Sequence, residues 1–201
     1  MFTGIVSGMG EVTRVARLEG LTKFGVRMPP EFCAGLARGA SVSVAGVCLT
    51  ALEQEGDTVF FEAMGETLER TTFGSVAEAD RVNVERSVQH GAEIGGHLVS
   101  GHVDGIAEII AIEDSANNRV MTFRPPKPLM KYIFSKGFVA LDGTSLTIVD
   151  ADFVEGIYKV WFIPETLRVT TFGFKKVGDH VNCEIDAQTR VLVETAERSR
   201  G

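Results

Sequence analysis

Cysteine is scarce, and its spacing excludes several trades at once. Cys33, Cys48 and Cys183 make an odd, widely separated set without a CxxC pair, which argues against a disulfide scaffold and against a zinc site, and no metal is expected. One tryptophan, two tyrosines and no dense basic stretch leave little for stacking bases or neutralising phosphates. The 20 basic and 27 acidic side chains give a formal charge of −7, so no nucleic acid partner is expected. No apolar run approaches the roughly eighteen residues that span a bilayer, so no membrane association is expected. Met1-Phe2-Thr3-Gly4 lacks the basic and then apolar start of a signal segment. The expectation is a soluble, cytoplasmic protein.

Glycine, by contrast, is plentiful: 22 of 201 residues, beside 44% hydrophobic side chains. That composition suits a packed core with many tight turns. The glycines also expose a repeat. Gly101-His102-Val103-Asp104-Gly105, near the midpoint, repeats the layout of Gly4-Ile5-Val6-Ser7-Gly8. Gly46-Val47-Cys48-Leu49-Thr50 falls on Gly143-Thr144-Ser145-Leu146-Thr147. The run from Glu66 to Gly74 falls on Glu165 to Gly173 with seven identities in nine, and Val82-Asn83-Val84-Glu85 on Val181-Asn182-Cys183-Glu184. Four blocks in one order mark a duplicated domain, with boundaries at 1–97 and 98–186 and a tail at 187–201.

Each copy is all-β in pattern. Gly10 to Val15 and Ala40 to Val44 alternate as half-buried strands do, and Thr58 to Ala63 and Tyr158 to Ile163 suit central strands. Short helices fit Pro30 to Ala37, Glu66 to Arg70, Pro128 to Phe134 and Pro164 to Arg168, with proline in a first turn at Pro30, Pro128 and Pro164. Five or six strands per copy predict two small closed antiparallel barrels, with a sandwich as the alternative. The tail predicts a helix whose stripe of Ala187, Val191, Leu192, Thr195 and Ala196 packs on its own barrel or on a twin helix.

Cys48 and its counterpart Ser145, set in matching Gly and Leu-Thr surroundings, suggest a cavity wall. His102, next to Gly101, allows close approach of a ligand to backbone, and on a strand it would share a face with Asp104. Glu66-Thr67 and Glu165-Thr166 follow core strands and open helices. Their free N–H groups can meet a ligand, or the threonines can cap the helices. Lys136 and Asp142 replace Gly39 and Ala45 of the first copy, a difference that suggests unequal roles.

These blocks, with Met-Phe-Thr-Gly-Ile-Val at the start, Gly-Gly-His-Leu-Val-Ser-Gly-His-Val at 95–103 and Ile-Pro-Glu-Thr-Leu at 163–167, resemble the riboflavin synthase family of the duplicated-barrel kind along nearly the whole chain. The resemblance implies two six-stranded Greek-key barrels, a homotrimer held partly by C-terminal helices, and no cofactor. It implies that each barrel binds one 6,7-dimethyl-8-ribityllumazine, that a four-carbon unit passes from one to the other, and that the productive site lies between barrels of different subunits. It allows association with lumazine synthase. The residues nearest the chemistry would be Phe2, Ser41, Cys48, His102 and Ser145, with His102 the best proton carrier. Substrate contacts would fall on Gly4, Ile5, Val6, Cys48, Leu49, Thr50, Glu62, Ala63, Met64, Gly65, Glu66 and Thr67, on Gly101, His102, Val103 and Lys136, and on Asp142, Ser145, Leu146, Thr147, Ile163, Pro164, Glu165, Thr166, Leu167 and Arg168. Ala45 departs from the family's usual Asn. A non-catalytic lumazine or flavin antenna protein on the same fold is the alternative.

Overall fold

Alternation carries the first strand: in β1 (Gly8–Leu18), Gly10 and Val12 face inward while Glu11 and Arg14 face solvent. The computed structural model describes residues 1–116 and 118–199, so the last two residues of the tail lie outside the described part. The first copy continues with β2 (Leu21–Arg27), β3 (Ser41–Val44), β4 (Val47–Thr50), β5 (Gln54–Glu55), β6 (Thr58–Met64) and β7 (Arg81–Arg86). These form one antiparallel sheet in the order β4-β3-β7-β1-β2-β6-β5. The second copy has β8 (Gly105–Asp114), β9 (Arg119–Arg124), β10 (Phe138–Leu141), β11 (Thr144–Asp152), β12 (Ile157–Phe162) and β13 (His180–Ile185). It closes as a barrel in the order β10-β11-β12-β9-β8-β13, a Greek-key path.

The copies differ at one corner, where a strand must bend to close a small barrel. In the second copy β11 bends through a bulge between Ile148 and Asp150 and pairs with both neighbours. In the first copy the strand breaks at the matching place into β4 and β5. Pairing still carries across the gap, since the Leu52 N–H donates to the Phe60 carbonyl (3.0 Å) and the Phe60 N–H to the Glu53 carbonyl (2.9 Å). The seven segments therefore curl into the same barrel, one strand of which is interrupted.

Helices fall close to the sequence expectation, with the first ending at Cys33 rather than Ala37 and the two that follow the long strands each one residue longer than expected. They are α1 (Pro30–Cys33), α2 (Gly65–Arg70), α3 (Pro164–Val169) and α4 (Ala187–Arg198). Gly35, at φ +65, follows the end of α1. The helix expected over Pro128 to Phe134 is instead a 3₁₀ segment, Lys127–Tyr132, whose i→i+3 bonds let Met130 and Tyr132 reach the core within one tight turn. Neither Thr67 nor Thr166 caps its helix. Thr71 and Thr170 act at the other end, donating their hydroxyls to the carbonyls of Thr67 and Thr166, both at 2.6 Å.

α4 is capped by Asp186, which accepts from the Thr189 N–H at 2.8 Å. It docks on its own barrel by one face: Val193 joins the second core, Tyr132 donates to Glu194 (3.1 Å) and Lys131 pairs with Glu197 (2.6 Å). The other face is bare, with Val191 64% and Leu192 71% exposed. No helix among the described residues is long and apolar enough to cross a membrane.

Each barrel has its own core, and the copies meet turn to turn. The hairpins Val44–Val47 and Leu141–Thr144 each turn on two residues of positive φ, Ala45 (+46°) with Gly46 (+79°), and Asp142 (+43°) with Gly143 (+79°). This is the backbone that matches strand twist. A Cβ on Gly46 would stand 2.4 Å from the Gly143 nitrogen. Gly46→Ala should therefore combine left-handed strain with a clash and cost about 2–5 kcal/mol, read as a lower urea midpoint. An unchanged midpoint would mean that the hairpins do not need this contact.

Candidate active site

The interior of neither barrel is free for a ligand. Phe24, Phe61 and Phe73 fill the first, and Phe123, Tyr158, Phe162 and Phe172 the second, all essentially without exposure. Each buried aromatic contributes about 1.5–3 kcal/mol, so opening the interior is costly. Function must use the outer faces. On β3 and β4, Val42, Val44, Val47 and Leu49 are buried core residues, while Ser41, Cys48 and Thr50 are half-buried or exposed. Ser41 is paired with Thr50 across the ladder.

Against that face lies a pocket of about 300 Å³ with three walls. Val47 and Cys48 form one, Glu66, Thr67, Arg70 and Thr71 the second, and Gly101, His102 and Val103 the third. The third wall precedes β8 and crosses to the first barrel, where the Cys48 N–H donates to the Gly101 carbonyl at 2.8 Å. Gly101 is at φ +80, and a Cβ there would stand 2.6 Å from the Cys48 Cβ, so only glycine lets the segment come this close. His102 is exposed at the rim. It does not share a face with Asp104, because this stretch is not part of the ladder. Asp104 instead pairs with Arg190 and accepts from the Ile185 N–H at 2.9 Å.

The second copy repeats the arrangement around Ser145. Its N–H donates to the Gly4 carbonyl at 2.8 Å, and Gly4, at φ +73, has no room for a Cβ. Ile5 stands where the first site has His102. Phe2 is fully buried and forms a two-way backbone bridge with Val99 (2.8 and 3.0 Å), packing with Ala140 and against Cys48. Its place is that of a wedge between the copies.

Sequence reasoning missed His97. Its Nδ1 lies 2.6 Å from the Ser145 hydroxyl, and its ring stacks on Phe138 at 5.3 Å. The repeat comparison is blind to it, because the matching position falls before Met1. Its signal was the pair of glycines that precede it: a Cβ on Gly96 would meet Ser145 at 2.7 Å.

Other expected contacts are distributed unevenly. Met64 and Ile163 are exposed apolar residues, 67% and 61%, at matching places before α2 and α3. Thr50 and Thr147 face outward, whereas the side chains of Val6, Leu49, Ala63 and Leu146 are buried. Gly65, Pro164 and Leu167 belong to α2 and α3, and Leu167 packs against the second core. Glu62 pairs with Lys23 (2.6 Å), Glu66 with Arg70 (2.9 Å) and Glu165 with Arg168 (2.5 Å). Lys136 is exposed at φ +70, the same left-handed turn as Gly39. Asp142 lines a separate cleft of about 380 Å³ between the barrels. There its carboxylate accepts from the Asn182 N–H (2.8 Å) and faces Lys175 at 3.5 Å, and burial raises its pKa against the pull of that lysine.

Of the cysteines, burial pushes the Cys183 thiol up to about 12 and raises that of Cys33. Cys48 alone is half-exposed and sits in the pocket. Burial lowers the His97 pKa below its ordinary 6.5, although Asp186 pulls the other way. The unfolded chain therefore takes up this proton first, and the stability that the neutral ring supports is lost as pH falls below about 6.5. His97→Gln should flatten that decline: between pH 7 and pH 5 its Tm should fall less than the parent's. Parallel curves would remove His97 from the acid response.

Comparison with known proteins shows the family. Residues 3–87 and 100–186 each match the lumazine binding domain. The chain is 44% identical over 199 residues to the riboflavin synthase of Escherichia coli (strain K12), covering 98% of this chain and 92% of that one. It is 43% identical to those of Chlamydia pneumoniae (98% and 96% covered) and Brucella abortus (98% of each). Among solved structures it is similar to LumP complexed with riboflavin, with a TM-score of 0.85 and 26% identity over 92% of this chain and 100% of the other. LumP complexed with 6,7-dimethyl-8-(1'-D-ribityl) lumazine matches in fold, with a TM-score of 0.84 and 24% identity over 92% and 99%. With its domain found twice and its relatives matched from end to end, the chain belongs to the riboflavin synthase family of duplicated lumazine-binding domains.

Proposed function

We propose that the protein is a riboflavin synthase, a transferase acting on two molecules of 6,7-dimethyl-8-ribityllumazine. One molecule gives up a four-carbon unit and leaves as 5-amino-6-ribitylaminopyrimidinedione, and the other takes the unit and becomes riboflavin. The observation that carries this reading is the repeated outer-face site with unlike side chains: Cys48 and His102 in one, Ser145 and Ile5 in the other. A reaction between two copies of one molecule needs two similar binding sites, and holding both rings in register replaces an improbable encounter. The alternative, a lumazine-binding antenna protein, predicts binding without turnover. Purified protein incubated with the lumazine should develop riboflavin absorbance, and binding without that absorbance would favour the antenna.

In this reading residues 1–97 and 98–186 are the two substrate-binding units. A proton leaves the C7 methyl of one lumazine, and a nucleophile, a protein group or water, adds at C7 of the other. His102 carries the proton, Cys48 and Ser145 flank the rings, Phe2 seats Cys48, and Ser41 lies beside Thr50. The ribityl chains meet Thr50, Glu66, Thr67, Lys136, Thr147 and Thr166. His102→Gln should lower kcat by about 10²–10⁴-fold and change lumazine affinity much less. An unchanged single-turnover rate would remove His102 from proton transfer.

The proposal includes a homotrimer in which the bare face of α4 meets its twins, a cytoplasmic location that suits three free cysteines, and association with lumazine synthase as the source of substrate. Deleting residues 187–201 should leave both barrels folded and lower the sedimentation coefficient to that of a monomer. A truncated protein that still sediments as a trimer would assign assembly to another surface.

A further inference from the structure

The repeated Asn-x-Glu of β7 and β13 takes no part in the chemistry above, yet its four polar side chains are buried, Asn83 at 2%, Glu85 at 5%, Asn182 at 1% and Glu184 at 6% exposure. We infer that the Asn-x-Glu of each copy builds the binding pocket of the other copy, so that Asn182 and Glu184 are positioning residues for the first site and Asn83 and Glu85 for the second. The inference rests on the reading of these outer-face sites as lumazine sites.

Asn182 reaches across from the second barrel. Its Nδ2 donates to the Ala45 carbonyl at 2.8 Å, at the turn that leads into Val47 and Cys48. Its Oδ1 accepts from the Thr72 N–H at 2.8 Å, directly after Thr71, whose hydroxyl is tied to Thr67. One amide thus fixes the roots of two pocket walls. Two residues along the same strand, Glu184 holds the third wall. It accepts from the Ser100 N–H and hydroxyl, both at 2.7 Å, and from the Gly101 N–H at 2.9 Å, and Gly101 in turn binds Cys48. All three walls of the first pocket hang from β13 of the other barrel.

The reciprocal set is complete. Asn83 donates to the Asp142 carbonyl at 3.0 Å and accepts from the Thr171 N–H at 2.8 Å. Glu85 accepts from the Thr3 N–H and hydroxyl, both at 2.7 Å, and from the Gly4 N–H at 3.1 Å, and Gly4 holds Ser145. These bonds end on the segments that form the sites, whereas simple adhesion between barrels has no reason to select those ends. A buried amide or carboxylate with every partner supplied is stiff, and removing it leaves buried groups unpaired.

Double-mutant cycles on the full-length protein test this, with riboflavin and dimethylribityllumazine as titrants and thermal melting as the folding control. Thr67→Ala marks the first site and Thr166→Ala the second. Asn182→Ala should weaken binding about tenfold or more. Its loss should be largely shared with Thr67→Ala, while its loss and that of Thr166→Ala should multiply. Asn83→Ala should show the mirror pattern. The milder pair Ser100→Ala and Thr3→Ala, each removing one donor to a glutamate, should repeat the crossed pattern if an asparagine variant does not fold. Multiplying losses in all four cycles, or equal sharing with both markers, would overturn the inference and reduce these residues to adhesion. Failure of the parent to bind either titrant would instead remove the site reading, and the inference with it.

Discussion

A six-stranded barrel has no room inside once its aromatic side chains are seated, and the rest of this molecule follows from that limit. The interior of each copy is occupied by phenylalanines without exposure, so a ligand as large as a flavin must lie on the outside. An outer strand face is by itself too flat and too wet to hold one. Here the face is made concave by the other copy: residues ahead of β8 cross to β4, and residues ahead of β1 cross to β11. Glycine at 4 and 101 allows each crossing backbone to lie directly on the strand it covers.

That exchange explains how duplication gives chemistry and not mere repetition. Gene doubling supplies two matching sites, and later divergence makes them unlike. Cys48 corresponds to Ser145 and Ile5 to His102, and His97 adds an imidazole beside Ser145. Donor and acceptor lumazines are the same molecule, so any difference in what happens to them must come from the protein. The two barrels keep one backbone plan, down to the paired left-handed turns at Ala45-Gly46 and Asp142-Gly143, and differ in the side chains Cys48 and Ser145 on their matching outer faces.

Much of this was legible in the sequence because duplication doubles the signal. Alternation in Ser41-Val42-Ser43-Val44 separates core from outer face, and the paired Gly-x-x-Leu-Thr blocks give the strands that carry Cys48 and Ser145. What was not legible is long-range. His97 reaches Ser145 only through the fold, and Asp104 does not share a face with His102 because the stretch lies outside the ladder, its carboxylate pairing with Arg190 far along the chain. Asp142 breaks the repeat, which suggested unequal roles for the copies, but its partners Asn182 and Lys175 in the cleft between barrels come from distant parts of the chain. The 3₁₀ segment at Lys127–Tyr132 looked helical because proline and apolar spacing suit both forms over so short a run.

The central claim is that one copy of the substrate serves as donor and a second, identical copy as acceptor. Isotope crossover tests it most directly. Lumazine labelled with carbon-13 in both methyl groups and in the two ring carbons that bear them would be mixed with an equal amount of unlabelled lumazine, and the riboflavin formed by the protein analysed by mass spectrometry. The account predicts unlabelled, half-labelled and fully labelled riboflavin, with the half-labelled species most abundant. Riboflavin without the half-labelled species would contradict transfer between two independently bound lumazines.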